Sequence, residues 1–240
     1  MKMKIINKAI SITAAAVLAC SLFSGCADKN MKAHSVEEEP TTYDKEYYDK
    51  LLKNASQAAE ESGASASDEE VQSIKVQFDI SIGGQSAGSF VITTDPSNAP
   101  ETCKNFEKLV SEGFYDGLTF HRVVDDFMAQ VGDPKGDGTG GSSETVKGEF
   151  SGNGVNNQHS HTRGTVSMAR SQDPNSASSQ FFICYTDCSF LDGQYAAFGD
   201  VTEGMDVIDS FLKVERTANA NGEMAVPKDP IVIEKAVIVE

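Results

Sequence analysis

The stretch SIKVQFDISIGGQSAGSFVITTD, residues 73–95, marks the point where the character of the chain changes. Its two halves are rich in β-branched and aromatic residues, and they flank the sequence GGQS at 83–86. Two such runs joined by a short glycine-containing segment are typical of a β-hairpin. The folded part of the chain is therefore predicted to begin with two paired strands.

The segment that follows is predicted to form a helix. It reads PETCKNFEKLVSEG, residues 100–113, with a proline near its start, Phe106, Leu109 and Val110 on one face, and Gly113 as its stop. A second helix is predicted over 205–212, and further short strands are predicted at 118–124, 127–131, 164–169, 180–184, 196–200 and 231–239.

These elements favour one mainly β domain. Short strands, two helices and long Gly/Ser loops in place of helical crossovers indicate a closed antiparallel β-barrel of about eight strands. The connection over 132–163 is long for a structureless loop, and such loops in compact domains tend to be functional. The sequence shows no internal repeat and no second core, so we assign residues 73–240 to this single domain.

The first 25 residues have the layout of an export signal. Three lysines precede an apolar run that reaches Phe23, contains no acid, and is too short and alanine-rich for a comfortable membrane-spanning helix. The sequence LFSGC at 22–26 resembles a bacterial lipobox, in which Cys26 becomes the lipidated first residue of the mature protein. Cys20 is a competing site, and an ordinary cleaved signal without lipid is the other alternative.

The segment over 26–72 is rich in Glu, Lys, Ser and Ala, which predicts a flexible acidic tether between the lipidated cysteine and the domain. The formal net charge is -16, and it becomes -19 when the three lysines of residues 1–25 are removed. An acidic body avoids anionic lipid headgroups, and the chain lacks the basic stripe of a nucleic-acid binder. We therefore expect an extracytoplasmic protein, lipid-anchored at Cys26 to the outer face of a bacterial membrane (the periplasmic face in a cell with two membranes), with no nucleic acid as partner.

Six motifs follow one another along residues 73–240. They are FHRVVDDFMAQVGD at 120–133, GTGG at 138–141, GTVSMAR at 164–170, SQFFI at 179–183, FLDGQYAAFG at 190–199 and GMDVID at 204–209. Together they resemble the cyclophilin family of peptidyl-prolyl cis/trans isomerases. The resemblance implies a closed eight-stranded antiparallel barrel capped by two α-helices, with a substrate groove on its outer face.

The resemblance also assigns roles to individual residues by motif match. It implies catalytic roles for Arg122, Phe127, Gln130 and Phe182, and substrate-binding roles for His121, Met128, Ala169, Arg170, Gln180, Phe190, Leu191 and Tyr195. Three of these depart from the animal form of the family. Phe190 stands where a tryptophan often sits, Tyr195 replaces a histidine, and Arg170 replaces an asparagine; the last two changes resemble bacterial members.

Arg122 is a permanently charged group in apolar sequence. The chemistry of amide rotation indicates why a catalytic site would need such a hydrogen-bond donor. Rotation about an X–Pro bond breaks amide resonance, so the prolyl nitrogen regains a lone pair only in the twisted state. A fixed donor aimed at that nitrogen binds the twisted state better than either planar isomer. Taken alone, Arg122 could instead be a surface arginine paired with Asp125 or Asp126.

The function predicted is therefore peptidyl-prolyl isomerisation, which requires no cofactor and no metal. Its partners are expected to be proline-containing segments of exported proteins as they fold, and the protein is expected to act as a monomer. A rival function from another class is a non-catalytic holdase that grips such segments.

Histidine and cysteine residues outside these assignments have simple structural explanations. The sequence HSH at 159–161 offers two metal ligands, but without a nearby acid or cysteine we expect solvent-exposed loop histidines. Cys184 and Cys188 lie close together in sequence, so a disulfide between them is one alternative. The other alternative is that both thiols remain free. Cys103, on the first predicted helix, is expected to be a small core residue.

Overall fold

A computed structural model of the protein describes residues 72–239. The predicted export signal over 1–25, the lipidated Cys26 with its competitor Cys20, and nearly all of the tether over 26–72 lie outside the described residues. Along the described part of the chain, no helix combines the length and the apolar character needed to cross a membrane.

The predicted hairpin is confirmed. Strand β1 (Lys75–Ile82) pairs antiparallel with β2 (Gln85–Thr94). The turn between them is formed by Gly83 and Gly84, whose φ angles are 57° and 78°. Both angles lie in the left-handed region that glycine enters without steric cost, and a two-residue turn of this kind matches the twist of paired strands.

Eight further strands follow along the chain. They are β3 (Arg122–Val123), β4 (Met128–Val131), β5 (Thr165–Met168), β6 (Phe181–Cys184), β7 (Ala197–Glu203), β8 (Arg216–Ala218), β9 (Met224–Pro227) and β10 (Ile231–Val239). All except β8 and β9 join β1 and β2 in one antiparallel sheet, in the order β10-β1-β2-β7-β5-β6-β4-β3. Strands β8 and β9 form a separate hairpin.

The two ends of the eight-stranded sheet meet, which gives the predicted barrel. Residues just before β3 pair with β10: Thr119 bridges Val232, and the Phe120 N–H donates to the Ile231 carbonyl at 2.9 Å. The single strand predicted over 118–124 is therefore wrong in extent. Its first part pairs with β10, and only its last part, β3, pairs with β4.

Helix α1 (Pro100–Ser111) buries Phe106, Leu109 and Val110, as predicted. The N-cap residue that precedes it, Ala99, has no side chain that can cap the helix. The carboxylate of Glu149 takes that role, because it accepts the N–H groups of residues 101 and 102 at 3.1 and 2.8 Å. An acid at this position also interacts favourably with the helix dipole.

Helix α2 (Met205–Ser210) is shorter than the predicted 205–212. A 3₁₀ turn, Phe211–Lys213, continues it and places Phe211 in the core. A 3₁₀ turn is a common way for a helix to end, because its tighter bonds satisfy the last carbonyl groups.

The hydrophobic core contains a group of aromatic rings that pack against one another. The centroid of Phe106 lies 5.1 Å from that of Phe198 and 5.6 Å from that of Phe181. Burying a phenylalanine side chain contributes about 1.5–3 kcal/mol to folding. The fully buried phenylalanines are Phe78, Phe90, Phe106, Phe120, Phe181, Phe198 and Phe211.

A second apolar cluster is separate from this core. Alternate residues of a strand point to opposite faces of the sheet. On β6, Phe181 and Ile183 therefore point into the barrel, whereas Phe182 and Cys184 point outward and pack with Met128 of β4. The outer face of β4 and β6 thus carries a small apolar floor.

Candidate active site

Strand register aligns the predicted catalytic residues in a row on the outer face. Arg122 of β3 lies opposite Gln130 of β4, which lies opposite Phe182 of β6. Residues directly opposite each other on neighbouring strands share a face and lie close together. Pairing of three short strands therefore sets a cation, an amide and an aromatic ring side by side.

An open cavity of about 150 Å³ lies over this row. Its floor is apolar and buried, with Met128 1%, Phe182 4% and Leu191 8% exposed. Nine of the twelve predicted site residues line it: Arg122, Phe127, Met128, Gln130, Ala169, Arg170, Phe182, Leu191 and Tyr195.

Arg122 lies at the edge of this cavity with 31% of its side chain exposed. Its Nη1 donates to Gln130 Oε1 at 3.3 Å and lies 3.9 Å from Met128 Sδ. Its Cζ lies 5.7 Å from the ring centroid of Phe127, within the range of a cation–π contact. The charge is thus at the wall of an open groove and is not enclosed in the core.

The acid that pairs with Arg122 is Glu223, in the turn before β9. The carboxylate accepts Nε at 2.7 Å and Nη2 at 2.8 Å. The alternative that Arg122 pairs with Asp125 or Asp126 is wrong, because its ion pair is with Glu223, and Asp125 pairs instead with Arg216 at 2.8 Å. The hydrogen bond from Arg122 lowers the pKa of Glu223 more than partial burial raises it.

Glu223 is a site residue that sequence reasoning missed. It lies 101 residues after Arg122, beyond the last of the six motifs. The sequence NANGE at 219–223 does carry a turn signal, the pair Asn-Gly, and the structure places a turn there. That signal predicts a turn and says nothing of which arginine the turn approaches.

The long loop over 132–163 reaches the site through Gln180. Gln130 Nε2 donates to Gln180 Oε1 at 2.8 Å, and Gln180 Nε2 donates to the carbonyl groups of Gly138 and Gly140 at 3.1 and 2.7 Å. The loop in turn is organised by Asp133, which accepts the N–H of Gly138 at 2.6 Å. Burial raises the pKa of Asp133, but backbone N–H donors outweigh it and the pKa is lowered.

A second cavity of about 240 Å³ is lined by residues 138–140 of this loop and by Gln180. The two cavities share Gln130, Ala169 and Arg170 in their walls. The guanidinium of Arg170 is held over the ring of Tyr195 at 4.7 Å and donates to the Gln194 carbonyl at 2.9 Å. Arg170 is therefore a fixed part of the wall.

The other two predicted substrate-binding residues line neither cavity. Phe190 is 64% exposed at the rim, with its ring centroid 5.8 Å from that of Phe127. His121 is 8% exposed, and neither of its ring nitrogens has a hydrogen-bond partner among the described residues. Burial lowers the pKa of His121, so the ring is neutral at pH 7.

The three cysteines of residues 72–239 are free and buried. Cys184 and Cys188 belong to the outer apolar cluster that contains Met128 and Phe182. Burial raises the pKa of Cys103 to about 12, in agreement with its predicted role as a small core residue. Burial also raises the pKa of Cys184, so the thiols of Cys103 and Cys184 are protonated at pH 7.

The prediction of solvent-exposed histidines at 159–161 is wrong. His159 is 13% exposed and lies between two acids, with Nδ1 2.8 Å from Asp95 and Nε2 3.1 Å from Asp200. Its hydrogen bond to Asp200 is the main cause that raises its pKa to about 9. Within residues 72–239, no group of three or more His, Cys, Asp or Glu side chains is placed to hold a metal ion.

His161 is 1% exposed and bridges Asp192 and Ser167, with ring nitrogens 2.7 and 2.9 Å from their oxygens. The order Asp–His–Ser resembles a hydrolytic triad. Ser167 is fully buried, however, so a substrate has no access to its hydroxyl. Burial is the main cause that lowers the pKa of His161, and the group is a structural connection between a loop and β5.

Comparison with known proteins identifies the family. A sequence model of the family described as cyclophilin type peptidyl-prolyl cis-trans isomerase/CLD matches residues 77–238. The chain is 43% identical over 161 residues to peptidyl-prolyl cis-trans isomerase A of Dickeya dadantii, covering 65% of this chain and 82% of that protein. It is 41% identical over 166 residues to peptidyl-prolyl cis-trans isomerase-like 1 of Aspergillus oryzae, covering 69% and 95%.

Solved structures agree with the sequence comparison. A crystal structure of a Cryptosporidium parvum cyclophilin type peptidyl-prolyl cis-trans isomerase matches with a TM-score of 0.60 at 28% identity, covering 70% of this chain and 99% of that one. A crystal structure of the same protein in the presence of the dipeptide Ala-Pro matches with a TM-score of 0.59 at 29% identity and the same coverage. The predicted resemblance is confirmed: the chain belongs to the cyclophilin-type family and is a peptidyl-prolyl cis-trans isomerase.

Proposed function

We propose that Arg122 accelerates rotation of X–Pro bonds by donating a hydrogen bond to the prolyl nitrogen of the twisted amide. The barrier to amide rotation is about 18–20 kcal/mol, because resonance is lost at the twisted state. The nitrogen lone pair that appears there accepts a donor that neither planar isomer can use. A hydrogen bond made only in the twisted state lowers the barrier without tightening the binding of the substrate.

The apolar cavity would bind the proline ring. Support comes from its buried floor of Met128, Phe182 and Leu191, and from the relative crystallised in the presence of Ala-Pro. With the ring held still, the carbonyl group before the proline can turn while Arg122 keeps its aim. We take proline-containing segments of polypeptides as the substrate class on this basis.

The free energy that the acceleration requires indicates that both the arginine and the cavity contribute to catalysis. An acceleration of about five powers of ten requires about 7 kcal/mol of preferential stabilisation. One hydrogen bond to a charged group contributes about 1.5–3 kcal/mol. The rest has to come from orientation of the ring against Phe182 and Phe127 and from the polar support that Gln130 gives to Arg122.

A single observation carries this proposal: a guanidinium with N–H groups at the edge of an open cavity that has an apolar floor. The test is the rate of isomerisation of an Ala-Pro test peptide by the Arg122→Ala variant. We expect kcat/KM to fall by about two to three powers of ten, as for loss of a donor to a transition state. The control is Arg163→Ala, an exposed arginine paired with Asp209, which should retain wild-type activity. Wild-type activity in Arg122→Ala would remove the arginine from the mechanism.

We further propose that the protein acts outside the cytoplasm on exported proteins, held to the membrane by a lipid on Cys26. The support is the sequence LFSGC at the end of an apolar run that three lysines precede, and the acidic tether over 26–72. Several acyl chains hold a protein firmly at a membrane surface, because each buried CH₂ contributes about 0.8 kcal/mol. The tether would let the domain reach clients that emerge nearby.

Fractionation of cells tests the anchor. The Cys26→Ser variant should move from the membrane to the soluble fractions, and the matched Cys20→Ser variant should stay on the membrane. The reverse pattern would place the lipid on Cys20. Retention of both variants on the membrane would overturn lipidation as the means of anchoring.

A further inference from the structure

We propose that Glu223 is a positioning residue for Arg122: its carboxylate fixes the guanidinium from the side away from the cavity, so that the remaining N–H groups face the substrate. The inference rests on the proposed role of Arg122 as the donor to the twisted amide. It concerns the β8–β9 hairpin, which carries none of the six sequence motifs.

The contact between the two residues is bidentate. Glu223 Oε2 accepts Arg122 Nε at 2.7 Å, and Oε1 accepts Nη2 at 2.8 Å. Two parallel hydrogen bonds to a planar fork fix its rotation as well as its position. Both side chains are about one third exposed, 31% and 34%, so solvent screening keeps the contribution to stability small. The main effect of the contact is therefore to fix the orientation of the guanidinium.

Gln130 holds the same guanidinium from its other end. A guanidinium has five N–H donors. Glu223 engages those on Nε and Nη2, and Gln130 Oε1 accepts one from Nη1 at 3.3 Å. Among residues 72–239, the other N–H groups of Nη1 and Nη2 have no oxygen acceptor, and Arg122 lines the cavity. The two contacts leave donors for a substrate and fix where they point.

Glu223 supports the arginine and does not block it. Arg122, Met128 and Gln130 line the cavity, whereas Glu223 does not. A carboxylate that competed with substrate for Arg122 would have to stand between the guanidinium and the cavity. Glu223 engages Nε and Nη2 and is absent from the cavity wall, so a substrate in the cavity would approach a different edge of the arginine.

The hairpin presents Glu223 in a defined position. Asn219 Oδ1 accepts the Glu223 N–H at 3.0 Å, and Asn219 Nδ2 donates to Glu223 Oε2 at 3.0 Å. The Gly222 N–H donates to the Asn219 carbonyl at 3.0 Å, which closes the turn. Because Asn219 holds both the backbone and the carboxylate of Glu223, the acid reaches Arg122 with little freedom of its own.

Loss of the carboxylate would let the guanidinium turn away from the cavity. A misplacement of about 1 Å at a reacting centre can cost up to about a hundredfold in rate. The apolar floor that would bind the proline ring does not involve Glu223, so substrate binding should be preserved. We therefore expect a loss in kcat with little change in KM, which is the pattern for an interaction used only in the transition state.

The first measurement is kcat and KM on an Ala-Pro peptide, by NMR exchange spectroscopy. Glu223→Ala and Glu223→Gln should each lower kcat about tenfold, because Ala removes the acceptors and the Gln amide offers only one. Glu223→Asp keeps a carboxylate and should recover part of the rate. The matched control is Glu215→Gln, which removes an ion pair with Lys228 at the base of the same hairpin and should leave kcat unchanged.

The second measurement separates positioning from a structural role. If Glu223 acts only through Arg122, Glu223→Gln should lower kcat in the wild-type background and have no effect in the Arg122→Ala background. The Arg122 Nε–H resonance should be sharp in the wild type and lost by exchange in Glu223→Gln. An equal loss of rate in both backgrounds, an unchanged kcat, or a raised kcat in Glu223→Gln would overturn the inference. Failure of the proposed function would show instead as full activity of Arg122→Ala alone.

Discussion

Two clusters of charged and polar side chains lie on the same barrel, and they treat their hydrogen-bond donors differently. In the histidine cluster, both ring nitrogens of His159 contact a carboxylate, Asp95 at 2.8 Å and Asp200 at 3.1 Å. In the groove cluster, Glu223 and Gln130 engage only part of the Arg122 guanidinium, which lines a cavity. Charge alone does not distinguish a structural cluster from a functional one.

What distinguishes them is the combination of unpaired hydrogen-bond donors with an adjacent open cavity. Buried polar groups in proteins are normally satisfied within the protein or by water. The histidine cluster follows that rule and connects a loop to β7. In the groove cluster, Arg122 is 31% exposed, so the donors that Glu223 and Gln130 leave free face the open cavity beside the apolar floor.

After Arg122→Ala, the largest effect should come from Arg122→Lys, which sharpens the comparison by keeping the charge and removing the planar fork. An ammonium cannot make the bidentate contact with Glu223 and a directed bond to the substrate together. We expect kcat/KM to fall about a hundredfold, as for loss of a preorganised donor. The assay is isomerisation of an Ala-Pro peptide, and Arg163→Lys is the control. Retention of activity would mean that charge, and not geometry, is what the groove supplies.

A smaller effect on activity is expected for Gln180→Ala. This change removes the link between the loop carbonyl groups at 138 and 140 and the amide of Gln130. With Gln130 less restrained, the aim of Arg122 should loosen and kcat/KM should fall about tenfold. The exposed Gln158→Ala serves as control. If both variants match the wild type, the loop does not support the arginine.

The smallest effect on activity is expected for His159→Gln, which should lower stability and leave kcat/KM unchanged. The pKa of His159 is raised to about 9, above the ordinary value of about 6.5 in an unfolded chain. A raised pKa stabilises the fold fully below pH 6.5, and the stabilisation is lost as the pH rises through about 9. Thermal unfolding should therefore show a gap between wild type and variant that is widest near pH 6 and closes above pH 9. A gap independent of pH would contradict the role of the charged histidine.

The sequence was sufficient where structure is local. The β1–β2 hairpin follows from its glycine pair and its alternating strands, and the buried face of α1 follows from the spacing of Phe106, Leu109 and Val110. The six motifs also identified nine residues that line the cavity. Motif and period are properties of neighbouring residues, so a sequence displays them directly.

Contacts across long separations were not predictable in this way. Glu223 pairs with Arg122 across 101 residues, and Glu149 caps α1 across 47 and 48. The β8–β9 hairpin was missed because its strands are short and lack a continuous apolar pattern. In the segment 118–124, the first part pairs with β10 and the last part, β3, pairs with β4. This division likewise depends on barrel closure, which no local pattern encodes.

Strand β6 has a consequence for how such an enzyme can diversify. Its four residues alternate between the barrel interior, at Phe181 and Ile183, and the outer face that carries the apolar floor, at Phe182 and Cys184. A change in side-chain volume at an inward position shifts the backbone that carries the outward residues. Thermal stability and the shape of the groove therefore change together. Substitutions that alter substrate preference should therefore accumulate in the flanking loops, where they leave the core of the barrel unchanged.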